Sequence, residues 1–256
     1  MPAPASGPRS VDRALDILDA VADADRPVTA KALARRLGCS LSTVYHLLGP
    51  LTGRGHLTRT GEGYVPGPRA VALHRSFQRQ LGAGPGAAEL LRRVRETAGL
   101  PAYLTVYRDG RITMIDSTTP ATAQDDPFVP GPEVRAHATA HGKMLLAQLP
   151  RAVRHRYLDF HGMARLTERT ITGAERFEAE LVRVRGDGVA VSIGEADPAY
   201  ACLAVPLTPP GEGGPGRVAH ALSVSLPAED FPRRHGEVRA VLTREAARSG
   251  SGGRRP

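Results

Sequence analysis

Apolar residues recur at intervals of three and four through the first fifty positions, which is the spacing of one face of a helix. Residues 10–24 form the first such stretch, with Ser10 as its N-cap. A second stretch covers 30–37 and ends at Gly38, and a third follows Ser40. The predicted buried faces consist of Val11, Ala14, Leu15, Leu18, Val21 and Ala22, then Leu33, Ala34 and Leu37, then Leu41, Val44, Leu47, Leu48 and Leu51.

The second and third predicted helices lie close together in the sequence. Thr29 caps the second helix, and only Cys39 separates its stop from the next cap. Two short helices joined by a tight turn that contains glycine are typical of a helix-turn-helix. Residues 57–60 and 64–65 then flank a Gly-Glu-Gly turn and predict a hairpin. The pattern predicts a winged helix-turn-helix domain over 8–68.

Beyond this unit, the pattern predicts a connector and an α/β domain. Residues 69–84 form the connector, mostly a partly exposed helix, and 85–250 form the domain, whose alternating helices and strand pairs favour a mainly antiparallel sheet. Residues 209–216 resemble a loop, and 251–256 a disordered tail. The predicted helices begin at Ala87 and cover 139–148, 151–160, 174–187 and 232–248, and the predicted strands cover 102–107, 112–117, 189–193, 203–207 and 218–226.

The charge of the chain and its distribution limit the kinds of function to be considered. The chain has 256 residues and a net charge of +8. Residues 1–80 hold 11 basic and 6 acidic groups, and the rest holds 23 and 20, so the excess is densest at the N-terminus and favours a polyanionic partner. The Asp residues of the first helix share one face, which we expect to turn away from the basic patch. Of the 34 basic residues only Lys31 and Lys143 are lysines.

Two classes of protein are excluded by simple counts. Two cysteines without metal spacing exclude a disulfide framework and a zinc finger. Neither a transmembrane stretch nor the apolar core of a signal peptide is present, so we expect a cytoplasmic protein.

The third helix carries the candidate DNA-reading residues. Hydroxyl groups near a helix N-terminus suit phosphate oxygens, and longer side chains one step further along can reach bases. Cations before and after this helix would contact the phosphate backbone. The predicted DNA-binding residues are Ser40, Ser42, Thr43, Tyr45 and His46 on the helix, with Arg35, Arg36, Arg54 and Arg59 around it.

Several ordered motifs resemble the IclR family of bacterial transcriptional regulators. The resemblance runs from about residue 11 to residue 248 and covers both predicted domains. In the first domain it rests on SVDRALDILDAV, ALARRLGCSLSTVYHLLGPLTGRGHL and YVPGPRAVAL. In the second it rests on AHATAHGKMLLAQL, LTERTIT, VRGDGVAVSIGEADPAYACLAVPL and ALSVSLP.

The resemblance implies a regulator whose operator affinity responds to a small molecule. It implies a GAF-like effector-binding domain, a homodimer or a dimer of dimers, palindromic operators and no cofactor. A helix N-terminus and strand hydroxyls suit a carboxylate-bearing metabolite. The implied effector-binding residues are Thr139, Ala140, His141, Cys202, Ser223 and Ser225. His46 departs from the family's usual long cation, and His141 from its usual small or aliphatic residue.

Two alternatives remain at this point. Cys202, with His141 or His137 and with Glu195 or Asp197, supplies the residue types of a nucleophilic enzyme site, although an apolar strand normally makes a cysteine inert. A non-specific nucleic-acid binder would explain the charge, but it would not require a second domain.

Overall fold

The computed structural model describes residues 8–83, 86–119, 135–207 and 219–251. The chain divides into two compact units, of which one ends at Phe77 and the other begins at Gln78. The predicted loop at 209–216 lies outside the described residues, as does most of the predicted tail, although Ser251 is still helical. No helix within the described ranges is both long and apolar enough to cross a lipid bilayer.

The first unit is a winged helix-turn-helix, as predicted. Strands β1 and β2 pair antiparallel, with Arg59 opposite Tyr64, and form the wing. Helix α4 begins in this unit and ends in the second. The elements in chain order are α1 (Arg9–Ala22), α2 (Ala30–Leu37), α3 (Leu41–Gly53), β1 (Leu57–Arg59), β2 (Tyr64–Pro66) and α4 (Pro68–Gln80).

Local side-chain chemistry sets the ends of α2 and α3. The Thr29 hydroxyl accepts a hydrogen bond from the Ala32 amide at 3.2 Å, and the Ser40 hydroxyl accepts one from the Thr43 amide at 3.1 Å. Gly38 ends α2 in the left-handed conformation, with φ of 60°. Both predicted caps and the predicted stop are therefore confirmed.

Helix α1 has two apolar faces, and the predicted buried set mixes residues of both while omitting Ile17 and Ala20. Ile17 and Ala20 are buried, whereas Val11, Leu15 and Ala22 are exposed, contrary to the prediction. At 3.6 residues per turn, the three exposed residues lie about 120° to 160° around the helix from Ile17. They therefore form a separate apolar stripe on the side opposite the core.

Two predictions at helix starts were also wrong. Helix α1 begins at Arg9 after Pro8, so Ser10 lies inside the helix and is not its N-cap. Leu41 is 43% exposed because it is the first residue of α3, ahead of the stripe of Val44 and Leu48 that packs on the core.

The second unit is an α/β domain with one five-stranded antiparallel sheet, as predicted. The strand order is β4-β3-β7-β6-β5. A short 3-10 turn, Ala136–Ala138, precedes α6. The elements are α5 (Ala87–Ala98), β3 (Ala102–Arg108), β4 (Arg111–Ser117), α6 (Ala140–Gln148), α7 (Arg151–His161), α8 (Ala174–Asp187), β5 (Ala190–Ile193), β6 (Tyr200–Leu207), β7 (Ala219–Pro227) and α9 (Phe231–Ser251).

The sheet separates two hydrophobic cores, because successive side chains of a strand point to opposite faces. On β6, Leu203 and Val205 pack with α5 and α9, whereas Cys202 and Ala204 pack with α6 and α8. Strand β6 begins at Tyr200, three residues before the predicted start. The α6 face of the sheet therefore includes Cys202.

Candidate DNA-reading helix and effector site

Helix α3 presents a polar face to solvent while its apolar stripe holds it on the core. Ser42, Tyr45 and His46 are exposed and Thr43 is half-buried, as the pattern predicts. Tyr45 is 51% exposed, and Val44 on the opposite side of the helix is fully buried. A helix held in this way can enter a major groove with its polar face towards the base edges.

Two hydroxyl groups at the start of α3 already form hydrogen bonds within the protein. Besides capping the Thr43 amide, the Ser40 hydroxyl lies 2.8 Å from the Thr43 hydroxyl. Each hydroxyl has one donor, and one of the two donates to the other, so a single hydroxyl proton of the pair remains for a phosphate oxygen. Ser42 carries a further exposed hydroxyl beside them.

Among the described residues, three of the four predicted phosphate-binding arginines have no carboxylate partner. Arg35, Arg54 and Arg59 are exposed, and no acidic group in the described ranges pairs with them. Arg36 instead lies 3.3 Å from Asp23, with both side chains more than half exposed. The acidic residues near the end of α1 are therefore not all turned away from the basic patch, because Asp23 contacts one of its cations.

The predicted effector residues lie where the start of α6 packs on the sheet. The Thr139 hydroxyl caps α6 by accepting from the Gly142 amide at 3.2 Å. Just before it, the carbonyl of Ala138 accepts a hydrogen bond from the Ser192 hydroxyl on β5 at 2.6 Å. Ala140 is fully buried. The first turn of α6 is thus anchored to the edge strand of the sheet.

The sheet beneath α6 carries small polar side chains in register. Cys202 on β6 lies opposite Ser225 on β7, and Ser223 lies opposite Tyr103 on β3. The Ser223 hydroxyl oxygen is buried and has no hydrogen-bond partner in the described structure. A buried hydroxyl without a partner costs about 1–3 kcal/mol, so a ligand atom that hydrogen-bonds to Ser223 would recover part of that cost.

The two histidines near this site have hydrogen-bond partners in the protein. His141 Nε2 lies 3.3 Å from the Thr139 hydroxyl, and His137 Nε2 lies 2.8 Å from the carbonyl of Ala164. Both side chains are buried. His137 therefore ties the turn before α6 to the segment after α7, whereas His141 contacts the residue that caps α6.

A buried ion cluster holds the other side of α6. Lys143 is 1% exposed, and its Nζ lies 2.5 Å from Glu195 Oε1, 3.3 Å from Glu180 Oε1 and 3.1 Å from the carbonyl of Val191. These three acceptors use all three donors of the ammonium group. The cluster ties α6 to β5, to the turn after β5 and to α8.

Burial and charge act in opposite directions on the carboxylates of this cluster. Burial raises the pKa of Glu195, and the nearby ammonium of Lys143 opposes this shift. The hydrogen bond from Arg183 lowers the pKa of Glu180, against the effect of burial. Glu195 Oε2 is buried without a hydrogen-bond partner among the described atoms. Lys143 is therefore the group that stabilises a carboxylate which burial disfavours.

A separate cleft of about 310 Å³ opens at the far end of α6. Met144, Val184, Arg185 and Pro206 contribute to its walls, and none of the predicted effector residues does. The ends of α6 and α8 place the partial negative charge of two helix C-termini there. Arg185 places a cation in the same wall and donates to the Ala147 carbonyl at 3.3 Å.

Both domains match families of known proteins. Residues 85–251 match "Bacterial transcriptional regulator IclR C-terminal", and residues 10–61 match "IclR helix-turn-helix domain". The HTH-type transcriptional regulator BhcR of Paracoccus denitrificans is 31% identical over 223 residues, which cover 86% of this chain and 78% of that protein.

The chain belongs to the IclR family of transcriptional regulators.

Solved IclR structures share the fold. The crystal structure of Thermotoga maritima IclR aligns with a TM-score of 0.72 at 23% identity, over 94% of this chain and 99% of that one. An IclR homologue from Microbacterium hydrocarbonoxydans, complexed with 4-hydroxybenzoate, aligns with a TM-score of 0.60 at 21% identity, over 93% of this chain and 96% of that one. The predicted fold class is confirmed for both domains.

Membership of the IclR family excludes the enzyme alternative, because the matched relatives are regulators. The local chemistry agrees with this result. Cys202 is buried in an apolar strand, His137 and His141 contact protein oxygens, and Glu195 contacts Lys143. These hydrogen bonds give the residues structural roles.

Sequence reasoning missed three residues around the effector site: Ser192, Tyr103 and Lys143. The register of the sheet places Ser192 beside Cys202 and Tyr103 beside Ser223, and no sequence pattern gives that register. A signal did exist for Lys143. In a chain whose cations are almost all arginine, a lysine within the apolar run of α6 indicates a compact ammonium group with a special position.

Asp23→Asn is expected to strengthen DNA binding, because it releases Arg36 to a phosphate. One additional phosphate contact steepens the salt dependence of log affinity by about 0.9, and we expect about two- to fivefold tighter binding at low salt. Fluorescence anisotropy on operator DNA at several salt concentrations measures both quantities.

Asp16→Asn is the matched control for this substitution, since it removes the same charge from the same helix. It should change affinity less and leave the salt slope unchanged. Equal effects of the two substitutions would show that only net charge matters and that the Arg36–Asp23 pair does not limit binding.

Proposed function

We propose that this IclR-type regulator binds its operator through α3 and that a small carboxylate-bearing effector, bound at the start of α6, changes that affinity. The proposed reading residues are Thr43, Tyr45 and His46, with the four arginines on phosphates. The proposed domains are 8–68 for DNA binding, 69–84 for the connector and 85–250 for the effector.

The buried Ser223 hydroxyl carries the effector proposal. It has no partner in the described structure, and its cross-strand neighbours are the small Ala204 on one side and Tyr103 on the other, so a ligand atom could supply the missing hydrogen bond. Helix α6 packs on β6 and β7, and a helix N-terminus favours a carboxylate. The ligand-bound Microbacterium relative, whose ligand is a hydroxylated aromatic carboxylate, supports the same class of effector.

Binding at this place requires a conformational change. Thr139, Ala140, His141, Cys202, Ser223 and Ser225 are all at most 5% exposed. A ligand can therefore enter only if the elements around these residues move apart, and we propose that the first turn of α6 is the one that moves. This requirement supplies the link between occupancy and a structural response, because a ligand shifts an equilibrium only through a difference in affinity between two states.

A screen of small carboxylates, including 4-hydroxybenzoate, against the protein and the DNA upstream of its gene tests the proposal. We expect one compound to change operator affinity by about 5- to 150-fold, and the DNA to change affinity for that compound by the same factor. Ser223→Ala/Ser225→Ala should abolish this response and preserve DNA binding. Cys39→Ala, in the other domain, is the control. An unchanged response in the double variant would contradict the proposed site.

The exposed apolar residues of the first unit support a homodimer. Val11 and Leu15 on α1 and Val71, Leu73 and Phe77 on α4 are each between 39% and 53% exposed. Reading two half-sites about one helical turn apart requires two copies of α3.

We therefore expect Leu15→Glu/Phe77→Glu to shift a dimer towards monomers in light scattering and to weaken operator binding. Asp12→Glu/Arg79→Lys, which alters the same two helices without adding charge to an apolar stripe, should remain dimeric. A wild-type protein that is monomeric at micromolar concentration would contradict the proposed dimer.

A further inference from the structure

The last turn of the connector helix α4 is closed by backbone hydrogen bonds. The amide of Ala83 donates to the Gln78 carbonyl at 2.9 Å, and that of Gly82 donates to the Arg79 carbonyl at 3.1 Å. Gly82 has φ of 75°, the left-handed conformation that ends many helices. Leu81 therefore stands at the C-cap, where a helix leaves carbonyl groups without a partner within the helix.

The carbonyl of Leu81 is held by a side chain from the effector domain's sheet. His220 Nε2 lies 3.0 Å from it, and a carbonyl can only accept, so the imidazole carries its proton on Nε2. His220 is 1% exposed and sits on β7 in a strand that is otherwise largely apolar. A donor at this position also interacts favourably with the C-terminal end of the helix dipole.

Two elements that build the proposed effector site meet at His220. Strand β7 carries Ser223 and Ser225 a few residues further along. Helix α6, which starts at the proposed site, ends with Gln148, whose Nε2 donates to the His220 carbonyl at 3.4 Å. Strand β7 thus extends from the floor of the site to the end of the connector, and α6 contacts the same residue.

We propose that His220 is a positioning residue that couples the effector site to the connector helix. The proposal rests on the proposed function, because it assigns a route for the effector's influence. Displacement of α6 or β7 at the site moves the His220 backbone, and the bond from its side chain transmits that movement to the Leu81 carbonyl. A second tie, from Gln78 Nε2 to Asp116 Oδ2 at 2.8 Å, keeps the helix end near β4 while this bond changes.

Amide hydrogen exchange on the full chain tests the first half of this proposal without DNA or an effector. His220→Leu replaces the imidazole by an apolar side chain of similar size and removes the donor. We expect the amides of Gly82 and Ala83 to exchange about tenfold faster, because the last turn opens locally more often. His220→Gln, whose Nε2 can donate from a similar place, should restore exchange to within about threefold of wild type. Unchanged exchange in His220→Leu would overturn the proposal.

A second pair of variants tests the coupling itself. Ser223→Leu fills the floor of the proposed site and stands in for an occupant. It should change Gly82 and Ala83 exchange by about threefold or more in the wild-type background and not in the His220→Leu background. Equal changes in both backgrounds, or no change in either, would overturn the role of His220. Strand amides at Leu222 and Val224 report global stability and serve to normalise the rates.

These outcomes are distinguishable from failure of the proposed function. If no carboxylate affects operator binding, the effector proposal fails. The exchange measurements still decide whether a change at Ser223 alters the end of the connector helix through His220. If a carboxylate regulates binding equally in wild type and His220→Leu, the proposed function stands and this route is wrong.

Discussion

Thr43→Ala/Tyr45→Ala/His46→Ala is expected to lose specific operator binding almost completely while the domain remains folded. Tyr45 and His46 are exposed on the polar face of α3, so truncating them removes no part of the core. A good base contact contributes about 1–3 kcal/mol of discrimination, so losing two of them lowers specific affinity by at least about 30-fold. Affinity for a shuffled sequence should change little, because the arginines that we propose for phosphate contacts remain.

A matched control uses the same residue types in the other domain. Thr172→Ala/Tyr200→Ala/His235→Ala should bind the operator as wild type does. Anisotropy titrations with operator and shuffled DNA, together with thermal melts, separate loss of recognition from loss of fold. Wild-type affinity of the α3 variant for the operator would show that another surface reads the sequence.

The helix-turn-helix could be predicted from sequence because its signals are local. The caps Thr29 and Ser40 and the stop at Gly38 act within four residues of their partners. The buried face of α1 was predicted wrongly because it depends on packing between elements and not on local signals. Two apolar faces on one helix give a single dense pattern, and only packing shows that Ile17 faces the core while Leu15 does not.

The proposed effector site could be predicted only in part, because its residues come from strands that are distant in the sequence. The hydroxyls of β7 were identified through the family resemblance, but the pairing of Ser223 with Tyr103 depends on the strand order β3-β7-β6. The contact of Arg36 with Asp23 likewise depends on how α1 and α2 pack. Periodicity predicts which face of an element is buried, and it does not predict what that face meets.

Lys143→Met is expected to destabilise the effector domain by about 3–5 kcal/mol, the usual cost of removing one member of a buried ion pair. The substitution preserves the apolar volume of the side chain and leaves Glu195 as a buried carboxylate without its nearest cation. Glu195→Gln in the same chain should recover part of the loss, since it removes the unpaired charge. Chemical denaturation of wild type, both single variants and the double variant gives the coupling between the two residues.

The loss in Lys143→Met should also depend on pH, and its sign follows from Glu195. Burial already raises the pKa of this group above its ordinary 4.5, and removing the ammonium raises it further. The folded variant then binds a proton more tightly than the unfolded chain, so its stability falls as pH rises from about 4.5 through the raised pKa. The variant should therefore lose more stability at pH 7.5 than at pH 5.

Arg183→Met provides the control for this pH dependence, because Arg183 contacts the same Glu180 but is 44% exposed. An exposed pair contributes about 0–1 kcal/mol, so this variant should remain close to wild type at pH 7.5. Its small effect should grow no larger with rising pH, since Lys143 still lies 3.3 Å from Glu180 in this variant and continues to lower the pKa of that carboxyl. If both variants lose the same stability, the importance of Lys143 does not come from the burial of its ammonium group.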